Sequence, residues 1–171
     1  MPRFPRLIVA ALATAGLTAA LATQPAYAAQ KSVRLSPAQA RTILIRAGHH
    51  HQLNPNFVLA VSYWESGWNQ AARSRTGAVG LMQIEPYTAA WAGPALLHRK
   101  VNLNNPVDNA ELGAALLRSY LDQLHNPKLA LAAYYQGLAG VLRHGIYPSS
   151  RSYVDGIWKL RNQFQRSHLG G

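Results

Sequence analysis

From Ser36 onward the chain reads as a series of amphipathic runs separated by short polar or glycine-containing breaks. Ser36-Pro37-Ala38-Gln39 has the spacing of a capping box, and Ala40, Ile43, Leu44 and Ala47 then recur on one helical face. This first helix is expected to end between Gly48 and His51. Asn54 and Pro55 open a second helix, with Phe57, Val58, Val61 and Trp64 as its apolar stripe and Gly67 as its stop. Glu65 follows Val61 by one helical turn and Val58 by two, so a helix that persists this far carries a carboxylate on its apolar face.

Between Asn69 and Ile84 the helical period disappears. Gly77, Gly80 and small or β-branched residues there predict a short irregular β hairpin. A brief helix from Pro86 to Trp91 and a glycine- and proline-punctuated loop over Ala92–Asn104 are expected next. Asn105-Pro106-Val107-Asp108 marks another helix start, with Leu112, Leu116, Tyr120 and Leu124 as its stripe and His125-Asn126-Pro127 as its end. Leu129–Leu142 predicts a further buried helix, and Ser152–Phe164 a closing one with Val154, Ile157 and Trp158 inward. The fold class expected is mainly α with a small β hairpin region, in a single domain.

The first residues follow a different pattern. Arg3 and Arg6 precede an uncharged, Ala- and Leu-rich run from Leu7 to Ala22, and Ala26-Tyr27-Ala28 has the small-x-small form of a cleavage site. The run is shorter than a membrane span needs and is diluted by Thr and Gly. Residues 1–28 are therefore expected to be a signal peptide and 29–35 a flexible lead, followed by the domain over 36–165 and a frayed tail over 166–171. The product is expected outside the cytoplasm, in the cell wall or periplasm or secreted.

Charge sharpens that picture. The whole chain carries +11, and loss of Arg3 and Arg6 leaves 15 basic against 6 acidic side chains, or +9. On an exported protein this points to anionic wall polymers rather than nucleic acid, and the basic residues are scattered instead of forming a dense arm. There is no cysteine, so the fold uses no disulfide and no cysteine-linked lipid. Hydrophobic residues at 49% and charged ones at 13% describe a globular chain. A monomer is expected.

Two groups of residues invite chemistry. His49, His50 and His51 are consecutive; on a helix their side chains diverge by about 100° each, so they cannot share one ion unless the chain unwinds there. No acidic ligand lies close in sequence, and no metal or cofactor is expected. Among the acids Glu65, Glu85, Asp108, Glu111, Asp122 and Asp155, only Glu65 falls on the apolar face of a helix that runs into a glycine corner. Desolvation of such a carboxyl favours its protonated form, the condition a general acid needs near neutral pH. Glu85 reads as a surface or capping acid before Pro86.

Around Glu65 the ordered identities become specific. Glu65-Ser66-x-Trp68-Asn69, Ala72-x-Ser74, Gly77-Ala78-x-Gly80-Leu81-Met82-Gln83-Ile84-x-Pro86-x-Thr88 and Ala132-Ala133-Tyr134-x-x-Gly137 together resemble the soluble lytic transglycosylase (SLT) catalytic domain, a lysozyme-like family related to goose-type lysozyme that cuts peptidoglycan. The resemblance spans Ser36 to Trp158. It implies a lyase in which Glu65 is the catalytic acid and base, Ser74 lies near the acid, Gln83 contacts sugar, and Tyr134 orients the acid. By themselves Ser74 and Gln83 read as a turn-forming serine and a backbone-bonded glutamine. Tyr135 and Gln136 stand where the family motif commonly has Asn and Ala, and Tyr153 resembles a position near the groove. The alternatives are a hydrolytic muramidase, a non-catalytic wall-binding protein on the same scaffold, and a basic membrane-active protein.

Overall fold

The computed structural model describes residues 34–170, so the signal-peptide reading of residues 1–28 lies outside the described part. Helix α1 (Pro37–His50) begins with the capping box in full: the Ser36 hydroxyl accepts from the Gln39 amide and the Gln39 side chain accepts from the Ser36 amide. Helix α2 (Pro55–Ser66) is capped by Asn54 and ends at Gly67, which takes the left-handed conformation. Every residue from Asn56 to Ser62 is buried, which makes α2 the buried axis of the fold.

Helix α3 (Pro86–Leu97) is longer than the sequence pattern predicts, because it continues through Pro94. The bare backbone face of the adjoining Gly93 packs close to the Arg99 carbonyl and Val101. Helix α4 (Pro106–Leu124) starts on Asn105, whose side chain accepts from the Val107 and Asp108 amides. Helix α5 (Pro127–Gln136) starts the same way on Asn126. The Asn-Pro pair that ends one helix thus opens the next, with proline spending no amide where the helix has none to use.

The single run expected over Leu129–Leu142 is two helices. Gly137, at φ 88° and ψ 144°, breaks it into α5 and α6 (Leu138–His144). A short 3₁₀ turn (Pro148–Ser150) leads into α7 (Arg151–Arg166). Beyond Arg166 the chain makes one more turn, in which the Leu169 amide donates to the Phe164 carbonyl at 3.1 Å. Helix α2 packs against α1 and α7, while α4 packs against α1, α3 and α5. Leu44, Val58, Leu59, Val61, Leu112, Leu117, Leu131 and Ile157 form the centre of one continuous core.

The hairpin expected between Asn69 and Ile84 is not realised as strands. Among the described residues this segment has only isolated antiparallel bridges, Arg73 with Val79 and Val79 with Ile84. Side chains from the segment's own Gln70 and from α2 and α4 take the place of a ladder. The Leu81 amide donates to Gln70 Oε1, the Met82 amide donates to Asn109 Oδ1, and Asn109 Nδ2 donates to the Val79 carbonyl. Ser62 and Ser66 hydroxyls both donate to the Leu81 carbonyl at 2.9 Å. A backbone satisfied by helix side chains does not need a paired neighbour strand.

Candidate active site

The last turn of α2 and the 79–84 segment are held face to face by those two serine bonds. Ser66, next to Glu65, also accepts from the Asn69 amide, and the Trp68 indole donates to the Leu59 carbonyl at 3.0 Å. The motif residues on either side of Gly67 therefore fold the corner back onto α2. Glu65 points elsewhere.

Glu65 is half-buried, and its Oε1 accepts a hydrogen bond of 2.8 Å from the Tyr153 hydroxyl of α7. Tyr153 itself is 5% exposed, so its ring is fixed by packing while its polar tip meets the acid. Tyr135 stacks on Tyr153 with centroids 4.5 Å apart and planes 23° from parallel. Trp64 meets the Tyr153 ring edge-on, at 6.3 Å and 86°. Tyr153 carried only a family likeness at the level of sequence. Its position against Glu65 depends on α7 packing on α2.

The other predicted site residues occupy the facing segment. Tyr134 donates its phenolic proton to the Met82 carbonyl at 2.8 Å, which joins α5 to that segment. Gln83 sits at φ 48°, with its Nε2 donating to the Gly80 carbonyl at 3.0 Å. Ser74 Oγ accepts from the Ala78 amide at 2.9 Å and lies 2.8 Å from Thr76 Oγ1. Thr76 donates onward to Glu85 Oε1 at 2.7 Å, so the Ser74 proton is directed along this relay to Glu85.

The remaining acids are occupied by basic groups. Asp108 pairs with Arg99, Asp122 with Arg118, Asp155 with Lys128, and Glu111 with His50 and His51. Glu65 and Glu85 both accept from neutral hydroxyls. The Thr76–Glu85 bond is at the surface, whereas the Tyr153–Glu65 bond is partly buried.

Gln136 has a structural task. Its Nε2 donates to the Gly145 carbonyl at 2.8 Å and its Oε1 accepts from the Tyr147 amide at 3.0 Å, bracing the loop between α6 and α7. Tyr135 is one side of the stack on Tyr153. The two departures from the family motif thus both support the elements that bring Tyr153 to Glu65.

The transglycosylase SLT domain family model matches residues 42–154, from the middle of α1 to the start of α7. The chain belongs to this family. Its similarity to the transglycosylase of Enterobacteria phage PRD1 is 38% identity over 91 residues, covering 53% of this chain and 32% of that protein. With the membrane-bound lytic murein transglycosylase C of Haemophilus influenzae it shares 28% identity, over 69% of this chain and 39% of the relative. The chain therefore spans about a third to two-fifths of the length of these curated relatives. Among solved structures, an inactive glutamate-to-glutamine mutant of lytic transglycosylase Slt from Pseudomonas aeruginosa superposes with a TM-score of 0.70 at 25% identity. That match covers 78% of this SLT-family chain and 25% of the Pseudomonas chain. Helix order and the Gly67 corner are thus embedded in a lysozyme-like fold that larger transglycosylases carry as one part.

Proposed function

We propose that this protein is an extracytoplasmic peptidoglycan lytic transglycosylase that cleaves the β-1,4 bond between N-acetylmuramic acid and N-acetylglucosamine, with Glu65 as its sole acid and base. The observation that carries the proposal is the partly buried Glu65 carboxylate, held by Tyr153 at the end of α2, where the neighbouring Ser66 bonds the Leu81 carbonyl of the segment that bears Gln83. Family membership supplies the substrate class. The inactive glutamate-to-glutamine mutant of the Pseudomonas relative is in keeping with a site built on one carboxyl group.

Most glycosidases flank the bond with two carboxylates. One carboxyl suffices when the substrate supplies its own nucleophile. Protonated Glu65 gives its proton to the glycosidic oxygen as the C1–O bond breaks, and the N-acetyl group of the muramyl residue stabilises the positive anomeric carbon. Ionised Glu65 then takes the proton of the C6 hydroxyl on the same sugar, and that oxygen bonds to C1. The products are a 1,6-anhydromuramyl end and a free N-acetylglucosamine 4-hydroxyl, with Glu65 protonated again. Intramolecular attack replaces a bound water at low entropic cost.

Tyr153 orients the carboxyl, and Tyr134 fixes the Met82 carbonyl on the 79–84 segment. With Gln83 Nε2 on the Gly80 carbonyl, its Oε1 is the atom left to accept from a sugar amide or hydroxyl, and Ser74 keeps the turn in shape. No helix among the described residues is long and apolar enough to cross a membrane.

Digestion of purified peptidoglycan followed by mass spectrometry tests the reading. Anhydromuramyl products are expected, and Glu65→Gln is expected to reduce their release by about 10²–10⁴-fold or more with the fold intact. Products with reducing muramic acid ends identify a muramidase instead. Sacculus binding without release of fragments identifies a non-catalytic wall protein.

A further inference from the structure

The histidine run at the end of α1 lies apart from the proposed catalytic residues and uses none of them. In sequence it lacked an unwound backbone and an acidic partner. The fold provides both. The helix ends at His50, His51 leaves helical geometry at φ −92° and ψ 17°, and Gln52 takes φ 52°. Glu111, on the second turn of α4, is brought against this corner. Its Oε2 lies 2.7 Å from His50 Nδ1 and 2.9 Å from His51 Nε2.

We propose that His50, His51 and Glu111 form a zinc site that ties the end of α1 to α4. One ligand atom from each of the three residues lies within 4.8 Å of the other two. Around Zn²⁺, with ligands at about 2.0–2.2 Å, neighbouring donor atoms in a tetrahedron stand about 3.3–3.5 Å apart. The two nitrogen–oxygen separations need to open by about half an ångström, and the imidazoles need only close on each other. The His50 side chain is 71% exposed and can swing freely, while His51 and Glu111 are 14% and 15% exposed and already fixed by packing.

The donor set selects the class of ion. Two imidazole nitrogens with one carboxylate suit zinc and its transition-metal neighbours, whereas calcium and magnesium seek oxygen alone. In the metal-free arrangement each imidazole directs a nitrogen at a single oxygen of Glu111. Moving each N–H to the other ring nitrogen turns two lone pairs toward the ion without moving the backbone. Gln52, Arg118 and Asp122 line the same open recess, which leaves a fourth coordination position for water or an anionic ligand. A chain without cysteine has no disulfide, and a metal clip between α1 and α4 would supply a cross-link of comparable kind.

The test is isothermal titration calorimetry of the untagged, chelator-treated protein with zinc chloride, paired with thermal melts. One zinc per chain is expected to bind with micromolar or tighter affinity, and the melting temperature is expected to rise by several degrees at ~100-fold excess over Kd. His50→Ala, at an exposed position where folding is not at stake, and Glu111→Gln are each expected to weaken binding at least about tenfold. His49→Ala, whose imidazole lies outside the cluster, is expected to leave affinity in place. Absence of binding at millimolar zinc, or binding unchanged in both His50→Ala and Glu111→Gln, would overturn the assignment. Circular dichroism of the variants separates loss of the site from loss of fold.

Discussion

Tyr135 stacks on Tyr153, and through that contact a residue of α5 fixes the phenol that donates to Glu65. The family motif commonly has an asparagine at this position. An aromatic ring in its place makes the tilt of Tyr153 a matter of ring-on-ring packing from α5 and from Trp64.

Removing the stack is expected to cost activity more than stability. An aromatic pair of this geometry contributes about 0.5–1.5 kcal/mol beyond its buried area. Tyr135→Phe keeps the ring and is expected to retain near-normal glycan cleavage. Tyr135→Ala is expected to lower kcat severalfold with a small fall in melting temperature. Equal turnover in the two variants, measured on purified sacculi, would detach Tyr135 from the acid.

Tyr153→Phe tests the hydrogen bond itself. The ring and its packing remain while the donor to Glu65 Oε1 disappears. Its loss is expected to reduce kcat about tenfold with KM little changed, since the carboxyl is no longer held in one rotamer. Unchanged kcat counts against Tyr153 as a positioning residue.

Asn109 is the residue on which the 79–84 segment depends. It is fully buried, donates to the Val79 and Leu103 carbonyls, and accepts from the Met82 amide. Asn109→Ala orphans the buried Met82 amide, at about 1–3 kcal/mol, and takes one of two donors from the Val79 and Leu103 carbonyls, which keep the Ile84 amide and the Gln70 side chain. A loss of roughly 2–3 kcal/mol is expected in urea denaturation, with partial recovery by water entering the space. A loss below about 1 kcal/mol would mean that the segment is held chiefly by Ser62, Ser66 and Gln70.

Alkaline pH should reveal Tyr120. Burial, and secondarily the nearby Tyr87 phenol, push its hydroxyl above the ordinary tyrosine value. The neutral form is favoured in the folded state, so this group's contribution is present below the unfolded value near 10 and is lost as pH rises toward the folded value. Tyr120→Phe is expected to flatten the fall in melting temperature above pH 10, because phenylalanine has no proton to lose. Parallel curves for the variant and the natural protein would contradict this.

The chain's local chemistry determined where helices begin. Ser36-Pro37, Asn54-Pro55 and Asn105-Pro106 satisfy amides two or three residues away, so their capping needs no tertiary partner. Glu65 could be singled out for a related reason, since the apolar period of α2 and the stop at Gly67 are both properties of neighbouring residues. The extension of α3 through Pro94 was hidden, because Gly93 and Pro94 read locally as breaks, while the close packing of Gly93 on Arg99 and Val101 is tertiary. The expected hairpin failed as strands because Ser62, Ser66 and Asn109 reach its backbone from outside the segment, which no period within residues 69–84 records. Tyr153 reaches Glu65, and His50 and His51 reach Glu111, across separations of 88, 61 and 60 residues. Periodicity assigns each of these side chains to a face of its own helix. Which faces meet is settled by how the helices pack around α2, a property of the whole core and not of any one stretch.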